Sequence, residues 1–190
     1  MEKIEQKGVI LIPDFSGFTD FVLSHNLYVG GYITEKLLSS IIDNNTLAFD
    51  ISEIEGDAVL FYKYGEPSDM TSILQQAMLM KNAFGKCLED LHQQLKTKIL
   101  LSLKFIVHYG TFSEYVIGKF KKLYGATVVE AHKLLKYHYV EHQPYILFSQ
   151  QYLKAIENEY GKTVHFEEKT RTDSCDACIY SPPVGLIKYI

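Results

Sequence analysis

The sequence predicts an α+β domain in which helices pack on a mostly antiparallel sheet. Two observations indicate this class. Patterns typical of strands and of helices are interspersed along the chain, and residues 8–13 form a continuous apolar run. Such a run is typical of a strand buried on both faces. The 190 residues, 47% of them hydrophobic, suffice for one buried core, so we expect a single domain over residues 1–190.

The first half of the chain is predicted to hold a central strand, helical segments and a β-hairpin. Apolar residues at helical spacing follow Gly30-Gly31 and stop at Asn44-Asn45, which predicts a helix between these breaks. Two strand-like runs, 47–54 and 58–64, flank Glu55-Gly56-Asp57. This arrangement predicts a hairpin.

The second half is predicted to begin with a long amphipathic helix and to end in two weak strands. Ser68 and Asp69 are both suitable N-caps for that helix. The predicted elements are a helix at 69–95, strands at 99–109 (ended by Gly110) and 115–124, a helix at 126–139, a strand at 145–148 and a helix at 149–160. This order predicts a ferredoxin-like βαββαβ core with the helices on one face of the sheet.

Composition limits the partners and the compartment. The net charge of −4 argues against nucleic acid and against an anionic membrane, because phosphate surfaces repel an acidic protein. The first apolar run is far shorter than a membrane span, and we expect a cytoplasmic protein. An odd number of cysteines, three, does not suggest a disulfide framework. Cys175 and Cys178 form a C-x-x-C, which we expect to be two incidental thiols of a reducing compartment, the alternative being a redox or metal role.

Two aspartates fall at predicted chain reversals. Asp14 follows the first strand directly, and Asp57 lies in the hairpin turn. Two converging carboxylates suit Mg²⁺ or Mn²⁺, which take one or two protein carboxylates and leave the remaining positions to phosphates. Residues 15–19 open a predicted helix, whose unpaired N–H groups suit a triphosphate. The alternative is that Asp14 caps a helix and Asp57 makes a turn.

Several segments in order resemble the class III adenylate and guanylate cyclases. Residues 14–19 (DFSGFT) resemble the opening motif of that family, and residues 53–58 (EIEGDA) resemble its hairpin motif. His108-Tyr109-Gly110 is similar to the H-x-G strand end, and residues 124–134 are similar to the helix that follows. The resemblance covers roughly residues 8 to 155, and it is closest to an uncharacterised bacterial branch of cyclase-like domains.

The resemblance implies a metal and phosphate site. Asp14 and Asp57 match the two aspartates that hold two divalent ions, Mg²⁺ or Mn²⁺, and the carbonyl group of Phe15 matches a backbone metal ligand. Residues of the opening motif match the triphosphate-binding turn. These nucleotide-binding residues are Phe15, Ser16, Gly17, Phe18 and Thr19.

The resemblance also implies residues that bind the base and ribose. Glu53 matches the base-reading position that favours guanine when it is glutamate, while its partner position, Lys122, is atypical of both adenylate and guanylate cyclases. Val129 stands where the family has a ribose-orienting asparagine, and valine cannot make that hydrogen bond. Lys133 stands where the family has a catalytic arginine, and lysine keeps the charge but loses the bidentate fork. Arg171 is the one arginine in the chain.

These features leave the function open. One hypothesis is a degenerate domain that binds a metal–nucleoside triphosphate complex and serves as a regulatory module in cyclic-nucleotide signalling. The second is an active cyclase that converts a purine nucleoside triphosphate such as GTP to a 3′,5′-cyclic nucleotide and pyrophosphate. A third is an unrelated role on the same fold. The resemblance implies a homodimer, or a heterodimer with another cyclase-like domain.

Overall fold

The computed structural model describes residues 5–136, 144–161, 169–171 and 176–180, and its elements follow the predicted order. The mixed α+β class with a ferredoxin-like core is confirmed. In chain order the elements are β1 (Gln6–Ser16), α1 (Phe18–Ser24), α2 (Leu27–Ile42), β2 (Asp50–Glu55), β3 (Ala58–Tyr64), α3 (Met70–Leu95), β4 (Ser102–Ile117), β5 (Phe120–Tyr124), α4 (Ala126–Leu135), β6 (Ile146–Ser149), α5 (Gln150–Tyr160), β7 (Lys169–Arg171) and β8 (Asp176–Tyr180).

The described strands form one sheet in the order β2-β3-β1-β4-β6-β8-β7, and β5 pairs with β4 outside this path. β1 lies between β3 and β4 and is antiparallel to both. Its pairing with β4 runs from Gln6 opposite Phe112 to Ser16 opposite Ser102. β4 and β6 are parallel, as expected for strands joined through a helix. The central strand predicted at residues 8–13 is therefore confirmed, within a longer strand.

Each face of β1 contributes to a separate apolar core. Val9 and Leu11 belong to the core under α2, α3 and α5, whereas Ile10 and Ile12 belong to a second core with Ala131 and Leu134 of α4. The expectation that all helices lie on one face was wrong for α4. A strand that is apolar on both faces needs cover on both, and α4 provides it on the second.

Two predicted strand ends differ from the structure. β1 continues three residues past Pro13, so Asp14 lies within the strand rather than beyond it. β4 runs through Gly110, and the chain reverses instead at Gly118, whose φ of 60° is in the left-handed region. Gly110 is required for another reason, since a Cβ atom there would lie 2.5 Å from Thr127 Oγ1 on α4. The glycine marks a close helix–strand approach.

The long helix α3 was predicted accurately. Asp69 is the N-cap, and its carboxylate accepts from the Ser72 backbone N–H at 3.1 Å. The predicted apolar stripe comprised Ile73, Ala77, Met80, Phe84, Cys87, Leu88, Leu91 and Leu95. Of these, Cys87, Leu88 and Leu95 are only partly buried, and the buried residues are Ile73, Gln76, Ala77, Met80, Phe84 and Leu91. Every helix in the described ranges is too short or too polar to span a bilayer. Cys175 and the segment 137–139 of the predicted fourth helix lie outside the described residues.

Replacing Gly110 should test the close approach of α4 to β4. We expect Gly110→Ala to lower the free energy of unfolding by about 1–3 kcal/mol, because Thr127 and the helix must move to admit the methyl group. Gly85→Ala is the matched control, since no atom lies within 4 Å of that added Cβ on α3. The control should gain about 0.5–1 kcal/mol from helix propensity. Urea unfolding followed by circular dichroism measures both, and equal effects would contradict the close approach.

Candidate functional site

A buried ion pair joins the two central strands on the α4 side of the sheet. Asp14 of β1 lies directly opposite Lys104 of β4, and their side chains project toward the same face. Lys104 Nζ is 2.8 Å from Asp14 Oδ2 and donates to the Leu135 carbonyl at 3.3 Å. The residues are 8% and 4% exposed. Because the carboxylate is compensated inside the protein, β1 can continue through Asp14 to Ser16.

Asp57 lies beside this pair, in the turn between β2 and β3. Gly56 before it has a φ of 61°, a conformation that glycine adopts without strain. The carboxylate accepts from the Phe15 backbone N–H and interacts electrostatically with Asp14 and Lys104. Burial first, and repulsion by Asp14 second, raise the pKa of Asp57 to about 7. The structure thus brings the two predicted metal ligands together.

The predicted phosphate-binding turn connects β1 to α1. Phe15 is buried in the core and contacts Phe18 edge-to-face, with ring centroids 6.0 Å apart. Gly17 is the N-cap of α1 with a φ of 87°, while Thr19 in the first turn is exposed. Ser16 is half-buried and ends β1. These five residues adjoin the Asp14–Asp57 pair along the chain, and their binding role stays a prediction.

A second polar cluster lies over β2 and contains the predicted base-reading residues. Lys122 of β5 donates a hydrogen bond to Glu53 Oε2, and His132 Nε2 of α4 lies 3.6 Å from Glu53 Oε1. The hydrogen bond to Glu53 is the main reason that the pKa of Lys122 is raised. Both carboxylate oxygens of Glu53 therefore face cationic or protonatable groups of this chain. The sequence comparison paired Glu53 with Lys122 and did not foresee His132.

Val129 and Lys133 lie four residues apart on the solvent side of α4. Val129 is 55% exposed, and Lys133 is also exposed. One helical turn separates them, so they share a face. The opposite side of α4 carries Ala131 and Leu134, which are buried against the sheet. Within the described chain, the predicted ribose-orienting position, Val129, and the predicted catalytic position, Lys133, thus face outward.

A buried histidine of β4 contacts α4 at a third point, Glu130. His108 of β4 is fully buried, and its Nε2 lies 3.2 Å from Glu130 Oε2. That distance permits an ion pair, but the contact does not have hydrogen-bonding geometry, so neither ring nitrogen has a hydrogen-bond partner among the described residues. Burial lowers the pKa of His108, and Glu130 opposes this shift. The ring is therefore favoured in its neutral form.

The donors at Asp14 and Asp57 fit one hard divalent ion. Two carboxylates are a usual protein contribution to a Mg²⁺ site, with phosphates and water completing the coordination. No group of three His, Cys, Asp or Glu side chains within the described ranges is arranged to hold a metal by itself. Lys104 competes for Asp14 and was missed by the sequence analysis. Its signal was a charged residue inside the strand-like run 99–109.

A protein-family model matches residues 34–145, which is more than half of the chain. The chain belongs to this family. The description of the family is 'Protein of unknown function (DUF2652)'. The matched segment includes Glu53, Asp57 and Lys104, whereas Asp14 precedes it. No curated protein matches the sequence.

Solved structures with a similar fold include nucleotide cyclase domains. The adenylyl cyclase CyaB from P. aeruginosa is 16% identical with a TM-score of 0.73, and the match covers 95% of each chain. The guanylyl cyclase Cya2 is 20% identical with a TM-score of 0.71, over 94% of this chain and 92% of that one. A dimeric guanylyl cyclase domain of the RhoGC fusion protein from Blastocladiella emersonii is 15% identical with a TM-score of 0.61, over 92% and 93%. At these identities the likeness shows the fold.

The environment of His108 should make stability depend on pH. A folded-state pKa below the unfolded value means that the unfolded chain binds the proton more tightly. The contribution of the neutral ring is complete above the unfolded pKa of about 6.5 and is lost as the pH falls below it. We expect His108→Leu to lose less stability than the wild type between pH 7.5 and 5.5. Urea unfolding at both values measures this, with His25→Gln at the C-cap of α1 as the control. Parallel losses in His108→Leu and wild type would contradict the assignment.

Proposed function

We propose that this chain is a divergent nucleotide-cyclase-like domain that binds a divalent metal and a nucleoside triphosphate, and that it acts as a signalling module with degenerate catalysis. The observation that carries the proposal is the adjacency of Asp14 and Asp57 beside the turn into α1. The cyclase-like fold supports it as well. Asp14 is compensated by Lys104, whereas Asp57 is a half-buried carboxyl group whose pKa is raised, and strongly shifted carboxyl groups of this kind are concentrated at functional sites.

Asp14 and Asp57 would hold the ion, Mg²⁺ or Mn²⁺. A bound ion would supply positive charge to neutralise the triphosphate oxygens. Phe15, Ser16, Gly17, Phe18 and Thr19 would border the phosphates. The donor chemistry fits this role, because both aspartates present hard oxygen ligands at the same end of the sheet.

Three features favour degenerate catalysis over turnover. Val129 offers no hydrogen bond to a ribose, and Lys133 offers one ammonium group where a guanidinium fork is expected. Glu53 is already engaged by Lys122 and His132 of its own chain, so a base must displace these contacts before Glu53 can accept from it. Loss of one preorganised charge donor commonly costs about 10²- to 10³-fold in rate.

The nucleotide-binding assembly in this proposal is a cytoplasmic homodimer, or a heterodimer with another cyclase-like domain. Exposed apolar side chains at the end of the β4–β5 hairpin support an interface there. These are Val116, Ile117 and Phe120. A single nucleotide-cyclase-like domain over residues 1–190 would form each half. A head-to-tail twofold arrangement of two such domains would bring Lys133 and Val129, which are exposed, toward the partner's nucleotide.

Removing one carboxylate should abolish metal-dependent nucleotide binding. We expect wild-type protein to bind ATP or GTP in calorimetry with Mn²⁺ but not with EDTA, and Asp57→Asn to lose at least about tenfold in affinity. Asp50→Asn, an exposed carboxylate on neighbouring β2, is the matched control and should bind normally. Absence of nucleotide binding by the wild type would refute the proposal. Abundant cyclic product in the same mixtures, read by mass, would favour the active cyclase instead.

Restoring the missing polar groups should raise turnover more than binding. We expect the double variant Val129→Asn with Lys133→Arg to increase kcat, because both groups would act on the transition state. Nucleotide affinity should change little, and the double variant should exceed the sum of the single changes. Lys136→Arg at the C-terminal end of α4 controls for an added guanidinium. A gain confined to nucleotide affinity would argue against this account of the degeneracy.

A further inference from the structure

We propose that Lys104 takes the place of one divalent ion at the Asp14–Asp57 pair, so that each chain holds at most one metal ion there. The inference rests on the proposed function, because it concerns the metal content of the same site. It assigns a role to a residue that sequence comparison did not select. Lys104 becomes the residue that sets metal stoichiometry.

The position of Lys104 is fixed by the sheet and by α4 together. Cross-strand pairing places it directly opposite Asp14, and its ammonium group contacts both Asp14 Oδ2 and the carbonyl of Leu135. These two acceptors come from β1 and from the last turn of α4. Both partners stabilise a positive charge. The carboxylate is an anion, and the carbonyl lies at the negative C-terminal end of a helix dipole.

Burial makes it costly for this ammonium to leave. Lys104 is 4% exposed, in contrast with lysines on the surface such as Lys36 and Lys121. A buried charge is tolerated when it is paired, and breaking such a pair leaves an uncompensated charge inside the protein. An ion that arrives at Asp14 must therefore tolerate the ammonium or displace it from both acceptors.

The charges at the site favour one ion over two. Ionised Asp14 and Asp57 carry two negative charges, and Lys104 neutralises one of them. The resemblance implies two ions shared by two aspartates, for which each carboxylate can offer a separate oxygen to each ion. Asp14 Oδ2 is held by Lys104, so Asp14 cannot offer a separate oxygen to each of two ions while the pair persists. A second divalent ion would also lie close to a fixed positive charge.

The experiment counts Mn²⁺ ions per chain by electron paramagnetic resonance, with MnCl₂ alone and with inorganic triphosphate added. We expect the full-length wild type to saturate at one ion or fewer. Lys104→Met, which keeps the length of the side chain and removes its charge, should bind two ions, the first about tenfold tighter or more. Lys104→Arg should stay at one, and Lys36→Met, on the exposed side of α2, should match the wild type.

The outcomes separate this inference from the proposed function. Two ions in the wild type, or a Lys104→Met protein with wild-type stoichiometry and affinity, would overturn the role of Lys104 and leave nucleotide binding intact. No Mn²⁺ bound by any variant, with or without triphosphate, would overturn both. If Lys104→Met does not fold without metal, its recovery of helical circular dichroism on adding Mn²⁺ supports the inference. If the helical circular dichroism of Lys104→Met does not recover, and the wild type binds two ions, the inference is refuted.

Discussion

Cover on both faces of β1 is the constraint on which the rest of this structure depends. The strand lies between β3 and β4, and its residues from Val9 to Phe15 are buried. Every side chain on it must therefore be apolar or be compensated within the protein. Asp14 is the charged exception on this buried stretch, and the partner that compensates it had to come from a neighbouring strand at the same register. β4 supplies Lys104 there.

The need for cover on both faces also explains the position of α4, which covers the face of the sheet that carries buried polar side chains. Besides its buried Ala131 and Leu134 and a hydrogen bond from Thr127 to the Thr111 carbonyl, this helix makes three contacts with ionisable side chains of the sheet. Glu53 approaches His132, His108 approaches Glu130, and Lys104 donates to Leu135. Each contact begins on a different residue of β2 or β4. A change of charge at any of these positions therefore alters the free energy with which the helix is held.

Sequence patterns were sufficient to predict the order of the helices and strands, because apolar residues recur with a clear helical or strand period in most segments. α3 has a strong apolar stripe and an N-cap, and the β2–β3 hairpin has Gly56 at its turn. Gly110 was misinterpreted because a glycine needed for contact with Thr127 looks the same in sequence as a glycine in a turn. The face chosen by α4 depends on which side of the sheet lacks cover, which no local pattern contains.

The candidate site was predictable only as far as its residues resemble known motifs. Asp14, Asp57 and residues 15–19 were selected in that way, and the structure places them next to one another. Lys104 lies outside these motifs, and His132 lies within the motif at 124–134 without a role assigned to it. Their contacts arise from strand register and helix placement. Long-range pairing of charges is a tertiary property, so a single sequence does not reveal it.

The length of β4 has a further consequence for the energy landscape of the folded chain. Its residues opposite β1 end at Phe112, and the remaining part pairs with β5 in a two-stranded ribbon beside the main sheet. Among the described strands, β5 has one neighbour rather than two. A ribbon of this kind opens at a smaller free-energy cost than the central strands. Because Lys122 belongs to it, the ion pair with Glu53 is only as persistent as the ribbon, and amide hydrogens of β5 should exchange with solvent before those of β1.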